Sequence, residues 1–442
     1  MRILQLTAGA ANMYCGSCLR DNALAMELIR MGHDVTLLPL YTPTRTDEEN
    51  VSMGRVFFGG ISVYLQQHSA LFRHTPWIVD RLWDSKYALK KAALSTIPVN
   101  PKFLGEMTVS MLEGEEGNLR KELHKLIEWL SHEERPDVIH LPYSLVISLA
   151  KPLREALDRP ICCTLQGEDI FIDGLPEPYR SQAIARIREN VRYVDRFLAV
   201  SDYYAGHMAR YLEIPDEKMD VVPLGIHFDG YREFAKPLHN TDPVRVGFLT
   251  RVAPEKGLHL LCDAYKRMRE RGDVPPTRLD VAGYLAPEHR HYLEGIDHQM
   301  SDWGLADQFA YHGVVDRAEK IAFLEGLDIM CIPAIYDDPK GLSLLESMAA
   351  GTPVIAPRRG TYTEIVERTQ GGILLEEGSV ETLTDALTAL VTGHDHRHRV
   401  GRAAFDGVRG AYGARRMAEK AASVYAQLCD PAAQSVQVGP RA

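Results

Sequence analysis

The sequence predicts two consecutive α/β units, each a parallel sheet flanked by helices. Three observations lead there. The 442 residues exceed one ordinary domain and suit two. Short apolar runs that end in small or polar residues alternate with amphipathic stretches of helix length, the pattern of βαβ units. The alternation runs through the chain twice, with a polar, proline-broken stretch between the two passes.

Composition narrows the function classes. Hydrophobic residues make up 45% and charged residues 25%, and the formal charge is −10. That balance is globular and gives no support to a nucleic-acid partner. No run approaches the roughly 18 apolar residues of a membrane span. The start, Met-Arg-Ile-Leu-Gln-Leu, is too short an apolar run for a signal peptide. The expectation is a cytoplasmic protein, with peripheral contact at the inner membrane left open and oligomeric state unknown. The seven cysteines are odd in number and scattered, which opposes a disulfide framework. Cys15-Gly-Ser-Cys18 has CxxC spacing. It is half of a structural zinc site at most, and a redox role needs the right sheet and helix context. The preferred reading is two small side chains packed in a loop.

In chain order, Arg2–Thr7 reads as a strand, 8–17 as a small-residue loop, 19–31 as a helix and Val35–Leu40 as a second strand. Such a loop lets backbone amides approach an anion or a sugar. No GxGxxG is present, so a dinucleotide site is not predicted. Asp21, placed in the first helical turn, is a helix-dipole partner or a ligand contact. Residues 51–135 form an insertion, with strands expected at 55–58 and 61–64 and helices at 77–89 and within 104–130. Its Phe72, Arg73, His74, Trp77, Arg81, Trp83 and Tyr87 fit a small local core better than a variable substrate surface. The sheet resumes at 136–141, followed by a helix over 145–157 and a strand at 161–165. That strand runs into Gln166-Gly-Glu168-Asp169. A further strand, 197–201, precedes a helix that Ser201 or Asp202 caps. A short strand over 221–225 ends the first array.

Residues 227–242 are assigned as the linker. The second array occupies 243–410, with strands at 244–249, 278–282, 309–312, 329–333, 353–356 and 372–375. Helices are expected at 257–271, 290–303 and 380–390. A terminal helix within 411–429 is expected to pack back on the first domain, and 430–442 reads as a loose tail.

Two stretches carry chemistry. Thr250-Arg251-Val-Ala-Pro-Glu-Lys256-Gly257 places two cations at a strand end and a helix start. The helix dipole opposes lysine there, a conflict that an anionic ligand such as a diphosphate resolves. Tyr336-Asp-Asp338-Pro-Lys-Gly-Leu342-Ser343-Leu-Leu-Glu346 reads as loop and then helix, with two carboxylates eight positions apart. Alone they are an acidic helix start and a solvated glutamate. Beside the cations they suit the hydroxyls of a nucleotide sugar. The loop Tyr362-Thr-Glu364 is a further candidate polar contact.

Asp338 to Glu346, continuing as Ser-Met-Ala-Ala-Gly-Thr-Pro-Val-Ile, resembles the E-x7-E element of retaining glycosyltransferases of family 4. Arg251-x4-Lys256-Gly257 resembles their second signature, and Gly32-His33-Asp34-Val35 also fits. The likeness covers about 1–50 and 136–429. It implies the GT-B fold: two facing Rossmann-like domains with a deep interdomain cleft. It implies a nucleoside-diphosphate sugar donor, a hexosyl group moved with retention to a glycan, lipid-linked or small-molecule hydroxyl, and no metal or other cofactor. By this resemblance Arg251 and Lys256 bind the diphosphate, Glu346 holds the ribose and Asp338 reaches the transferred sugar. Leu342 and Ser343 offer amides to the phosphates, Gly16 lies in the loop that closes over the donor, and Val315 lies in the segment that meets the nucleobase. Two positions depart from the pattern. Asp338 replaces a glutamate, and Gln166 stands where many members have a histidine, which a glutamine cannot replace in proton exchange. Glu168 and Asp169 are the nearby charges. A nucleotide-sugar epimerase or hydrolase, or a binding protein without turnover, are the alternatives. A dehydrogenase lacks its glycine fingerprint.

Overall fold

The computed structural model describes residues 1–9, 15–58, 101–236 and 242–430. It divides into two compact units, Met1–Gly225 with Ala414–Ala442, and Ile226–Gly413.

The first unit holds β1 (Arg2–Thr7), α1 (Gly16–Arg30), β2 (Asp34–Pro39), α2 (Pro101–Leu112), α3 (Arg120–His132) and β3 (Val138–Leu141). A 3₁₀ segment, Ser144–Leu149, then leads into α4 (Ala150–Leu157), β4 (Ile161–Leu165), α5 (Glu168–Asp173), α6 (Tyr179–Asn190), β5 (Arg196–Ala199), α7 (Asp202–Leu212) and β6 (Met219–Val221). The six strands are parallel in the order β2-β1-β3-β4-β5-β6. Ile3 pairs with Val35 on one side and Val138 on the other. β4 is buried along its whole length, as expected of a strand covered on both faces. Leu123, Leu126 and Leu130 of α3 lie in the core on one face with Phe57 and Phe58. On the other face Leu24 and Leu28 of α1 meet Ala418, Ala421 and Tyr425 of the terminal helix, Ala414–Cys429. That helix belongs to the first unit although the whole second unit precedes it.

The second unit holds β7 (Val244–Leu249), α8 (Leu258–Glu270), β8 (Thr277–Ala282), α9 (Arg290–Asp302), β9 (Phe309–Tyr311), α10 (Arg317–Gly326) and β10 (Ile329–Cys331). α11 (Leu342–Ala349), β11 (Val354–Pro357), α12 (Gly360–Thr369), β12 (Gly372–Leu375), α13 (Val380–Thr392) and α14 (His394–Ala411) complete it. Its parallel order is β12-β11-β10-β7-β8-β9. In both sheets the order reverses beside the first strand, between β1 and β3 and between β7 and β10. In open parallel sheets ligands bind outside the carboxyl ends of the strands at such a reversal.

Several sequence expectations change. Residues 55–58 form no strand. Phe57 and Phe58 are buried in the core with α3, and Phe58 N donates to Leu40 O at 2.7 Å, one residue past the end of β2. The strand expected at 61–64, the helix at 77–89 and the aromatic and basic residues between 72 and 87 lie outside the described residues. So do 237–241 and 431–442. The described part of the expected linker is strapped to the second unit. Arg317 Nη2 donates to Asp229 O at 2.9 Å, Arg232 N to Glu325 Oε1 at 2.8 Å, and Lys236 Nζ to Leu327 O at 2.6 Å. The second unit therefore begins at Ile226 and ends at Gly413, where Ile226 N donates to Tyr412 O at 2.9 Å. α6 and α10 were not predicted. Among the described residues no helix is long and apolar enough to cross a membrane.

Candidate active site

The topological reversal of the second sheet lies where β7 and β10 end, and the chemistry-bearing stretches follow those two strands. After β7 the chain makes a 3₁₀ turn, Pro254–Lys256, and enters α8 through Gly257 at φ 79°. A Cβ on Gly257 would lie 2.0 Å from Pro333 O. Glycine therefore lets this turn press against the chain leaving β10.

That contact brings Lys256 to Asp338. Lys256 Nζ lies 3.0 Å from Asp338 Oδ2, and their side chains are 11% and 13% exposed. The ammonium also donates to Tyr336 Oη and sits 4.6 Å from the Tyr336 ring centre, a cation–π contact. Asp338 Oδ2 accepts from Tyr336 Oη at 2.7 Å and Tyr362 Oη at 3.2 Å. Its Oδ1 accepts from Lys340 N and Gly341 N, both at 2.9 Å. Burial alone would raise the Asp338 pKa. Lys256 and the converging N–H and O–H donors outweigh burial and hold it well below the usual carboxylate range. Burial, then the Asp338 charge, push Tyr336 well above the ordinary phenol value.

Gly341, at φ 63°, is the N-cap of α11. Leu342 and Ser343 are the first two helical residues, so their N–H groups have no partner within the helix. A single carboxylate thus links the Lys256 ammonium to the positive end of α11. Glu346 lies one turn along, on the face of Leu342. It is not a solvated glutamate. Its side chain is 11% exposed and accepts from Lys320 Nζ of α10 at 2.6 Å. Arg251 differs from Lys256, being 53% exposed and paired with Glu255 Oε1 at 2.6 Å. Val315 lies between β9 and α10, half-buried.

In the first unit, Gln166 follows β4 and is buried. Its Nε2 donates to Pro142 O at 2.7 Å, and its Oε1 is buried without a partner among the described residues. Glu168 Oε1 accepts from Ser144 N and Oγ at 3.0 and 2.9 Å, and its Oε2 from Gln166 N at 2.8 Å. Burial, against those bonds, raises its pKa. Glu168 is therefore a clasp between the turns after β3 and β4 rather than a free charge. Asp169 accepts from Tyr204 Oη at 2.6 Å and contacts His207 Nε2 at 3.0 Å.

Three sequence expectations need correction. Gly16 is the first residue of α1, not part of the loop before it. Asp21 consequently falls in the second turn, where it is buried against Thr7 and Arg20. Tyr362 and Glu364 lie in α12, not in a loop, and Tyr362 reaches Asp338. Sequence reasoning missed Lys320 and gave Tyr336 no role, whereas Tyr362 was a candidate polar contact and does donate to Asp338. The Asp316–Glu319 capping box that starts α10 was the available signal for Lys320. Among the described residues no group of three or more His, Cys, Asp or Glu is placed to hold a metal ion.

Comparison with known proteins adds family and fold. Residues 21–225 match the model of the glycosyl transferase 4-like domain, and residues 231–406 that of glycosyl transferases group 1. The chain is 27% identical over 292 residues to a D-inositol 3-phosphate glycosyltransferase of Kribbella flavida, covering 62% of this chain and 67% of that protein. A second protein of that name, from Pseudarthrobacter chlorophenolicus, is 24% identical over 86% of this chain and 91% of its own. The fold matches sucrose-phosphate synthase of Thermosynechococcus elongatus with TM-score 0.69 and 16% identity, covering 97% of this chain and 98% of that one. It also matches Anabaena HepE in complex with UDP and glucose, with TM-score 0.66 and 17% identity over 97% and 100%. Each of the two Rossmann-like domains thus matches one glycosyltransferase family model, the 4-like domain in the amino-terminal part and group 1 in the carboxy-terminal part, and the fold is GT-B.

Proposed function

We propose that the protein is a retaining, metal-independent glycosyltransferase of family 4 that moves a hexosyl group from a nucleoside-diphosphate sugar to an acceptor hydroxyl in the cytoplasm. One observation carries the reading: Lys256 is fixed by Asp338 at the N-terminus of α11, with Glu346 one turn further along. A diphosphate suits the ammonium and the Leu342 and Ser343 amides. A ribose suits Glu346, about 5.4 Å along the helix. A carboxylate retains acceptor sites beyond the one that Lys320 takes. The leaving diphosphate stays against Lys256 and Arg251, and its oxygen helps to take the proton from the incoming hydroxyl on the same face of the sugar. Electrostatic stabilisation of that leaving group is the protein's main contribution.

The relatives named for inositol 3-phosphate, and a mycobacterial phosphatidyl-myo-inositol mannosyltransferase 28% identical over 291 residues, support a polyol or lipid-linked acceptor. The test is a mass-spectrometric screen of nucleotide-sugar donors against glycan, lipid-linked and small polyol acceptors, with and without EDTA. The expected result is a glycosylated product that EDTA does not suppress and that Arg251→Ala reduces at least tenfold. Equal turnover in Arg251→Ala would remove the phosphate role. Donor loss without acceptor would favour a hydrolase. Tight donor binding with no turnover would favour a binding homologue, the reading to which the inward-turned Gln166 belongs.

A further inference from the structure

The transferase reading makes no use of Cys15 and Cys18, and the fold supplies the context that their spacing alone lacked. Cys15 is the N-cap of α1, with extended φ −108° and ψ 125°. Its carbonyl accepts the first helical bond, from Leu19 N at 2.9 Å. Gly16, Ser17 and Cys18 are then the first three helical residues. An N-cap side chain and the side chain three positions on meet across the first turn, as they do in a capping box. Here both are thiols, at the N-cap and third helical positions. Cys15 is half-exposed, whereas Cys18 is fully buried. The neighbouring Cys15 and burial raise the Cys18 pKa, which keeps its proton in place. Cys15 stands at the positive end of a fifteen-residue helix, an environment that favours a thiolate. The pair lies beyond the carboxyl end of β1, beside the reversal of the first sheet. Cys162, Cys163, Cys262 and Cys331 are buried in strands or helices of the cores.

We infer that Cys15 and Cys18 form a dithiol–disulfide site that exchanges with small-molecule disulfides and thiols. The Cys15 thiolate attacks one sulfur of the small disulfide. Their S–S bond breaks, and one thiolate leaves with the electron pair. Cys18 Sγ then attacks Cys15 Sγ, and the second small thiolate leaves. The two small thiols carry away both protons and both electrons, and the protein keeps an intramolecular disulfide. Excess dithiol reverses both steps.

The test equilibrates the full-length protein in buffers of graded reduced-to-oxidised glutathione ratio. Acid quenching, alkylation and peptide mass spectrometry then read every cysteine. The expected result is a single two-electron transition in which Cys15 and Cys18 lose alkylation together. Cys429, half-exposed and outside any CxxC pair, serves as the control and forms no bond to either. In Cys18→Ser the reaction should stop as a glutathione adduct on Cys15. In Cys15→Ser, which keeps a good N-cap residue, Cys18 should stay reduced. Alkylation of both thiols at every ratio would overturn the proposal. So would equal adduct formation on Cys18 in Cys15→Ser and on Cys15 in Cys18→Ser.

Discussion

At the scale of single residues, Asp338 has the most to explain. The resemblance assigns its position to the transferred sugar, yet its oxygens already accept from Lys256, Tyr336, Tyr362, Lys340 N and Gly341 N. The shorter side chain suits that inward task, because an aspartate can satisfy the turn that follows it. Asp338→Asn leaves a nearly buried lysine without its counter-charge, a loss on the order of 3–5 kcal/mol at pH 7. The folded carboxyl titrates below its unfolded value of about 3.9, and acidification protonates the unfolded chain first. The stabilisation is therefore complete above about pH 5 and fades as pH falls through 4 and below. Urea unfolding should show a large gap between wild type and Asp338→Asn at pH 7 that begins to narrow below pH 4 and is smaller at pH 3. A gap of the same size at both would show that the carboxylate charge contributes nothing. Lys320 makes a second case. Lys320→Ala frees Glu346 to turn, so donor KM should rise severalfold more than kcat falls. Initial rates over a donor series read that split, and a pure kcat loss would argue against it. The meeting of Lys256 with the carboxylate at 338, and Glu346 one turn further along, was legible in the sequence because motif spacing carries it, whereas Arg251 is exposed and pairs with Glu255. Lys320 was not legible, since it reaches Glu346 from another helix and only the folded chain brings the two together; Tyr362 was legible as a polar contact but without its partner, Asp338.

At the scale of elements, the α11 N-terminus depends on its glycine. Gly341 sits at φ 63°, and a Cβ there would lie 2.4 Å from Ile365 Cδ1. Gly341→Ala should therefore cost more than the roughly 1–2 kcal/mol of a left-handed residue alone, and donor KM should rise as the helix start shifts. Gly272→Ala is the comparison, at φ 81° with nothing within 4 Å of the added Cβ. Thermal unfolding of both variants separates strain from collision; equal losses would mean that Ile365 simply moves aside. The elements found from sequence were those with a strong period or a buried run, such as β4 and β7. α6 escaped because only Ala183 and Ile187 of its twelve residues are buried, which leaves little apolar stripe to see. Residues 55–58 misled in the opposite sense: two buried phenylalanines resemble a strand whether or not the backbone pairs.

At the scale of the whole molecule, two alternating βα arrays were readable and their parallel character followed. The division of the chain was less so, because a polar stretch looks like a linker until its partners are known. Lys236, Arg232 and Asp229 are held by α10 and the residues beside it, so the exchange between units is confined to Gly225–Ile226 and Gly413–Ala414. The terminal helix supplies Ala418, Ala421 and Tyr425, each without exposed surface, and Tyr425 Oη bonds His140 Nδ1 at 2.7 Å within the first unit. Ending the chain at Gly413 should uncover Leu24 and Leu28. Calorimetry should then show the first unit melting earlier while the second is unchanged. A shift of both together would mean that the units do not unfold separately.

The same terminal helix sets an order of events during synthesis. On the ribosome the first unit emerges early, yet its last layer is made only after the whole second unit has been translated. At about 5–20 residues per second that interval is roughly 10–40 s. For that time the apolar face formed by Leu24, Leu28, Cys162 and Leu198 has no helix to cover it. The nascent chain therefore presents a chaperone with one defined surface, and the first domain to be made is the last to be finished.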